Sequence, residues 1–228
     1  MDEKLHSWTL RPKEAIAIQK RLRRRVVTSL TLSQPRYVAG VDVAYIRETN
    51  ESVATVAVIS LPDLELVESA TAQVGTPFPY VPGLLSFREI PPILQAYKSI
   101  SVPIDLIFVD GHGQAHPRRI GIASHLGLWL RKPTIGIGKS RLCGRFEEPG
   151  EEKGSQSDLM DKGELIGTVL RTRTGVRPVF VSVGYGIPLR QCVAWTLRVT
   201  PKYRLPEPIR VADRLAARNK PLRPALPD

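Results

Sequence analysis

Residues 104–138, IDLIFVDGHGQAHPRRIGIASHLGLWLRKPTIGIG, decide the fold. Residues 104–109 form an apolar run of strand length, closed by Asp110-Gly111-His112-Gly113. Residues 119–130 suit a helix, and residues 133–137 make a second short strand. Strand, helix and strand in that order imply two parallel strands joined by a right-handed crossover.

Working upstream, residues 37–46, 52–60 and 66–74 read as strands separated by short polar turns, which predicts an antiparallel meander. Between the meander and the crossover, Pro77, Pro79, Pro82, Pro91 and Pro92 break regular structure. A short helix over 91–100 fits, because proline is tolerated in a first helical turn. At the other end, residues 14–30 show apolar positions Ala15, Ile18, Leu22 and Val26 at helical spacing. Their remaining surface is basic, which suits either a solvated helix face or a nucleic-acid contact. Downstream, residues 147–164 carry seven acids against two bases, so a surface loop is expected. Residues 164–173 and 177–183 suggest a hairpin, and 188–198 and 207–217 suggest helices. The sum is an α/β fold, a mixed β-sheet flanked by helices on both faces, in a single domain over 1–228 with a flexible tail after about 219.

Composition narrows the function classes. The 228 residues hold 33 basic and 22 acidic side chains, a formal net charge of +11, which favours polyanion partners. Hydrophobic residues make up 42% of the chain, enough to exclude general disorder. No stretch of 18 apolar residues suggests a membrane span, and residues 1–13 lack the apolar centre of a signal peptide. The only two cysteines, Cys143 and Cys192, make no disulfide framework. A cytoplasmic protein is the expectation, and the sequon at Asn50 is then incidental.

Several residues carry possible chemistry. Asp42 interrupts an otherwise apolar strand, where a carboxylate needs hydrogen bonds or a cation. Asp110 ends another strand, where sheets of this kind open toward ligands. If the two strands are neighbours, the carboxylates repel each other, and a hard divalent cation relieves that repulsion. The alternative is a structural role for both. Glu89 is either a further oxygen ligand or the closing member of a capping box with Ser86, and Asp213 is either a ligand or a surface acid. His112 and His116 lack the context of a zinc motif, and His116 is either a loop histidine or an orienting group. Gly138-Lys139-Ser140 resembles the end of a phosphate loop, but Pro133 holds the position of its first glycine. Lys139 is left to pair with an acid, hold a phosphate oxygen or face solvent. Tyr80, in Pro79-Tyr80-Val81-Pro82-Gly83, is either a loop anchor or a wedge between bases.

Taken together, VAGVDVAY, PYVPGLLSFRE, DLIFVDGHGQAHPRRIGIASHLG, PTIGIGKSRLCG and YRLPEPIRVADRLA closely resemble the endonuclease V family, over about residues 15–218. The resemblance implies a ribonuclease H-like fold and a monomeric DNA repair endonuclease. It implies cleavage of the second phosphodiester bond 3′ to deoxyinosine, leaving 3′-hydroxyl and 5′-phosphate ends. Some relatives act on inosine-containing RNA, and a lesion-binding protein without activity is a third reading. By the same resemblance Asp42, Glu89, Asp110 and Asp213 would surround Mg²⁺, or Mn²⁺ in vitro, with His116 and Lys139 as helpers. Tyr80, with Pro79 and Pro82, would wedge the duplex, and Gly83, Gly111 and Gly113 would shape the lesion pocket.

Overall fold

The structure, a computed structural model, describes residues 5–29, 32 and 34–218. Eight strands form one sheet: β1 Tyr37–Ile46, β2 Glu51–Ser60, β3 Leu66–Gly75, β4 Leu106–Asp110, β5 Thr134–Gly138, β6 Gln156–Asp161, β7 Glu164–Leu170 and β8 Val179–Tyr185. Their order across the sheet is β3-β2-β1-β4-β5-β8-β7-β6. The β1-β2-β3 meander is antiparallel, β1-β4 and β4-β5 are parallel, and β5-β8-β7-β6 is antiparallel. The expected mixed sheet is therefore present, and β1 and β4 are neighbours.

Alternation along the strands sorts the core into two layers. Val38, Leu106 and Phe108 face one side, where Cys192 of helix α4 (Leu189–Arg198) and Ile209, Val211 and Ala212 of helix α5 (Glu207–Arg218) cover them. Ala39, Val41, Ile107 and Val109 face the other, under Ile90, Ile93 and Leu94 of helix α2 (Ser86–Tyr97) and Ile122, Ala123 and Leu126 of helix α3 (Ile122–Leu130). Gly40 lets α5 lie directly on β1, since a Cβ there would stand 2.0 Å from the Pro208 carbonyl oxygen.

Four expectations change. Residues 147–164 are not all loop, because Gln156–Asp161 is the edge strand β6, paired with β7. Only Leu159 of that strand is buried, so its apolar alternation is hidden among acids, a pattern that also discourages edge-to-edge pairing. Helix α2 starts at Ser86 rather than 91, with Pro91 and Pro92 inside it. Those prolines lack amide donors, yet the helix buries Phe87, Ile90 and Ile93, and this packing outweighs the lost bonds. The N-terminal helix α1 is Pro12–Leu22, followed by a 3₁₀ turn at Arg23–Arg25, and Val26 is extended. Helix α3 begins three residues later than predicted, at Ile122, capped by Gly121. The tail KPLRPALPD lies outside the described residues.

Candidate active site

The parallel pairing of β1 with β4 reaches Val41 opposite Val109, so Asp42 and Asp110 each stand one step past the last paired residues. By the period of two they fall on the same face as Val38 and Phe108, the face α5 covers. Glu89 arrives from α2 on the other side. Asp42, Glu89 and Asp110 line one cavity of about 200 Å³, closed by Val41, Leu85, Ile93, Val109 and Ile122.

Three carboxylates in one such space do not ionise independently. The Glu89 pKa is pushed up to about 8, first by withdrawal from water and then by the charges of Asp110 and Asp42, with Arg88 opposing. The Arg88 guanidinium donates to the Phe78 carbonyl and lies 3.8 Å from the centre of the Tyr45 ring. Lys139, one residue past β5, forms an ion pair with Asp110. Its pKa is raised, burial working against the rise while Asp110, Asp42 and Asp213 drive it. Asp213 is exposed on α5 and lines a separate cleft with Tyr203, Arg204 and Arg210. It joins the cluster through its field on Lys139 rather than by lining the same cavity.

Oxygen donors of this kind suit a hard divalent cation. Among the described residues no three His, Cys, Asp or Glu side chains form a closed ligand set. The fit rests instead on a carboxylate held protonated by its neighbours and on the Lys139 ammonium neutralising another.

A second cavity, about 210 Å³, shares Leu85 and Ile122 with the first. Tyr80, Val81, Pro82, Gly83, Gly111, His116 and Gly121 line it. Tyr80 is 72% exposed, so it is no buried anchor. Pro79 is also exposed, just before this lining. Gly111 has φ +149°, and a Cβ there would stand 2.5 Å from an Ile122 methyl. Gly113 is not part of the lining. It is buried against β8, where a Cβ would meet the Val183 carbonyl oxygen at 2.0 Å.

His116 is a structural pin in this arrangement. Its Nε2 lies 2.9 Å from the Gly83 carbonyl and so carries the proton, while Nδ1 accepts from the Arg118 amide at 3.1 Å. Burial, with Arg118 and His112 nearby, lowers its pKa to about 4, against the weaker pull of the Gly83 bond. The ring is therefore neutral at pH 7. The Gly83 oxygen also accepts from Gln19 Nε2 at 3.0 Å and Arg118 Nη2 at 2.8 Å. Gln19 of α1 went unnoticed in the sequence. Its only signal there is a polar residue on the inner face of an amphipathic helix.

The strand order and the carboxylates just past the β1–β4 pairing define a ribonuclease H-like nuclease. A sequence profile of the endonuclease V family matches residues 20–214. Endonuclease V of Trichormus variabilis is 54% identical over 213 residues, spanning 93% of this chain and 96% of that protein. The crystal structure of endonuclease V from Streptomyces avermitilis superposes with a TM-score of 0.89 at 46% identity, covering 93% of this chain and 94% of that one. A Ciona intestinalis endonuclease V, solved with DNA containing an inosine followed by a ribo-adenosine, gives a TM-score of 0.80 at 30% identity over 90% of this chain and 95% of that one. The chain belongs to the endonuclease V family, and it is a DNA repair endonuclease.

Proposed function

We propose that this enzyme cuts the second phosphodiester bond 3′ to deoxyinosine, leaving 3′-hydroxyl and 5′-phosphate ends. The observation that carries the reading is the pair of adjoining cavities divided by Leu85 and Ile122. One is acidic and suits a scissile phosphate with its cation. The other has room for a base turned out of the stack, with an exposed tyrosine at its mouth. The Ciona relative bound to inosine-containing DNA supports the same substrate. The test is cleavage-site mapping on matched strands with and without one deoxyinosine in Mg²⁺. A cut one nucleotide beyond the inosine's immediate 3′ neighbour supports the reading, and no cut on folded protein rejects it. Inosine-containing RNA in the same assay separates a chiefly ribonucleolytic enzyme from a DNA enzyme.

In this reading Asp42, Glu89 and Asp110 hold Mg²⁺, with Asp213 completing the acidic set when substrate is bound. When bound there, the ion would supply an activated water and charge stabilisation for the leaving 3′-oxygen. Lys139 releases Asp110 to the cation and screens charge building on the phosphate. His116, with both ring nitrogens engaged, keeps the Gly83 wall in place rather than moving a proton. The basic residues of α1 and α5 track phosphates, which makes binding salt-sensitive. We read the chain as a single-domain monomer in the cytoplasm: its eight strands form one sheet, and its two free cysteines suit a reducing compartment.

Two expected results follow from this geometry. Glu89 is protonated at pH 7 without a cation, and ligation needs it ionised. Uptake of Mg²⁺ at pH 7 is therefore expected to release about one proton per ion, with apparent affinity rising up to about pH 8 and levelling above. Calorimetry in two buffers of different ionisation enthalpy checks this, and zero release contradicts it. Tyr80→Ala is expected to lower discrimination between inosine and matched duplexes about tenfold, since base stacking on an aromatic ring contributes roughly 1–3 kcal/mol. Mg²⁺ affinity stays unchanged. Equal discrimination by variant and wild type, measured as a ratio of Kd values, removes the wedge role.

A further inference from the structure

A chain of buried polar groups runs from the N-terminal segment to the wall of the base cavity. His6 Nδ1 lies 2.7 Å from the Ser7 carbonyl oxygen. His6 Nε2 meets His125 Nε2 at 2.8 Å, and His125 Nδ1 meets Ser86 Oγ at 3.0 Å. A carbonyl oxygen only accepts, so Nδ1 of His6 carries its proton and Nε2 is bare. His125 must then donate from Nε2 and accept at Nδ1, which commits the Ser86 hydroxyl proton to His125. All three directions are fixed so long as both rings are neutral. Burial favours that state, lowering both pKa values. Trp8, Phe87 and Trp129 surround the His6 ring, with centroids 4.5 Å, 5.3 Å and 5.3 Å away, and keep water from the chain.

Ser86 is the first residue of α2, lines the base cavity, and follows Leu85, which with Ile122 faces both cavities. We infer that His6, His125 and Ser86 form a positioning relay, through which the N-terminal segment seats the first turn of α2 and so sets discrimination at the base cavity. The inference rests on the reading of that cavity as the place where the base is recognised. His6 and His125 do not touch the substrate in this account. They act through Ser86, which lines the cavity, and through Leu85 beside it.

The test measures Kd for duplexes with and without one deoxyinosine, for the full chain in an Asp110→Asn background that leaves strands uncut. His6→Ala strands a buried His125 donor, and the ratio of the two Kd values is expected to fall about tenfold. His6→Gln keeps a neutral acceptor and is expected to restore most of it. Ser86→Ala is expected to match His6→Ala, and the double variant to be no worse than either single one, as for members of one unit. Thermal unfolding confirms that each variant is folded. Three results overturn the relay: a His6→Ala ratio within twofold of the parent, equal loss in His6→Ala and His6→Gln, or additive losses in the double variant. A parent that shows no preference for inosine overturns the base-cavity reading and the relay with it.

Discussion

Asp110→Ala is expected to lower the cleavage rate by about a thousandfold or more while leaving the protein folded, because it removes both the oxygen donor proposed for the cation and the partner of Lys139. Asp42→Ala is expected to act in the same way. The strands that carry these residues are held by Val41 and Val109 below them, so the damage stays at the site. Removal of either charge also relieves Glu89. Its pKa moves back toward the usual carboxylate range, and the proton release on Mg²⁺ uptake at pH 7 shrinks with it. Rates are read on an inosine strand at saturating Mg²⁺, with thermal unfolding as the control for folding. Cleavage within tenfold of wild type by either variant removes that residue from the catalytic set.

Gly40→Ala is expected to produce the largest loss of stability. The added carbon would stand 2.0 Å from the Pro208 carbonyl oxygen and 2.6 Å from the Ile209 nitrogen, both backbone atoms that no rotamer change can move. Helix α5 must lift from β1, at a cost of about 3 kcal/mol and a Tm lower by roughly 6–12 °C. The same shift carries Asp213 away from Lys139, so cleavage falls as well. Calorimetry and the inosine assay together check both parts. A Tm within 2 °C of wild type would falsify the close approach of α5 to β1.

The sequence made the sheet's centre plain and its edge obscure. Asp42 stands out because it breaks an apolar run and Asp110 because it ends one, and the neighbourhood of β1 and β4, a condition in the sequence, brings them together in the structure. The strand Gln156–Asp161 is hidden for the opposite reason: an edge strand buries only Leu159, and its acids resemble those of a loop. Pro91 and Pro92 hide the first turn of helix α2 in the sequence, since propensity is local while the burial of Phe87 and Ile90 is tertiary. At the site, the acids and Tyr80 were legible as chemistry. The supports were not. Gln19 reaches Gly83 across 64 residues of chain, His6 reaches His125 across 119 and His125 reaches Ser86 across 39, and no spacing rule links them beforehand. The resemblance implies a place for Gly113 at the lesion pocket, whereas contact with β8 is what requires a glycine there.

The three donors that converge on the Gly83 oxygen bear on how the enzyme searches a genome. An enzyme of this kind tests many ordinary bases for each damaged one. A loop that had to reshape itself at every trial would lose ordering entropy each time, and slow each rejection. Here Gln19, His116 and Arg118 hold the wall before any base arrives. The work of each trial then falls on the DNA, as the unstacking of one base. A base that finds no match returns to its helix at once, and the protein is unchanged for the next position.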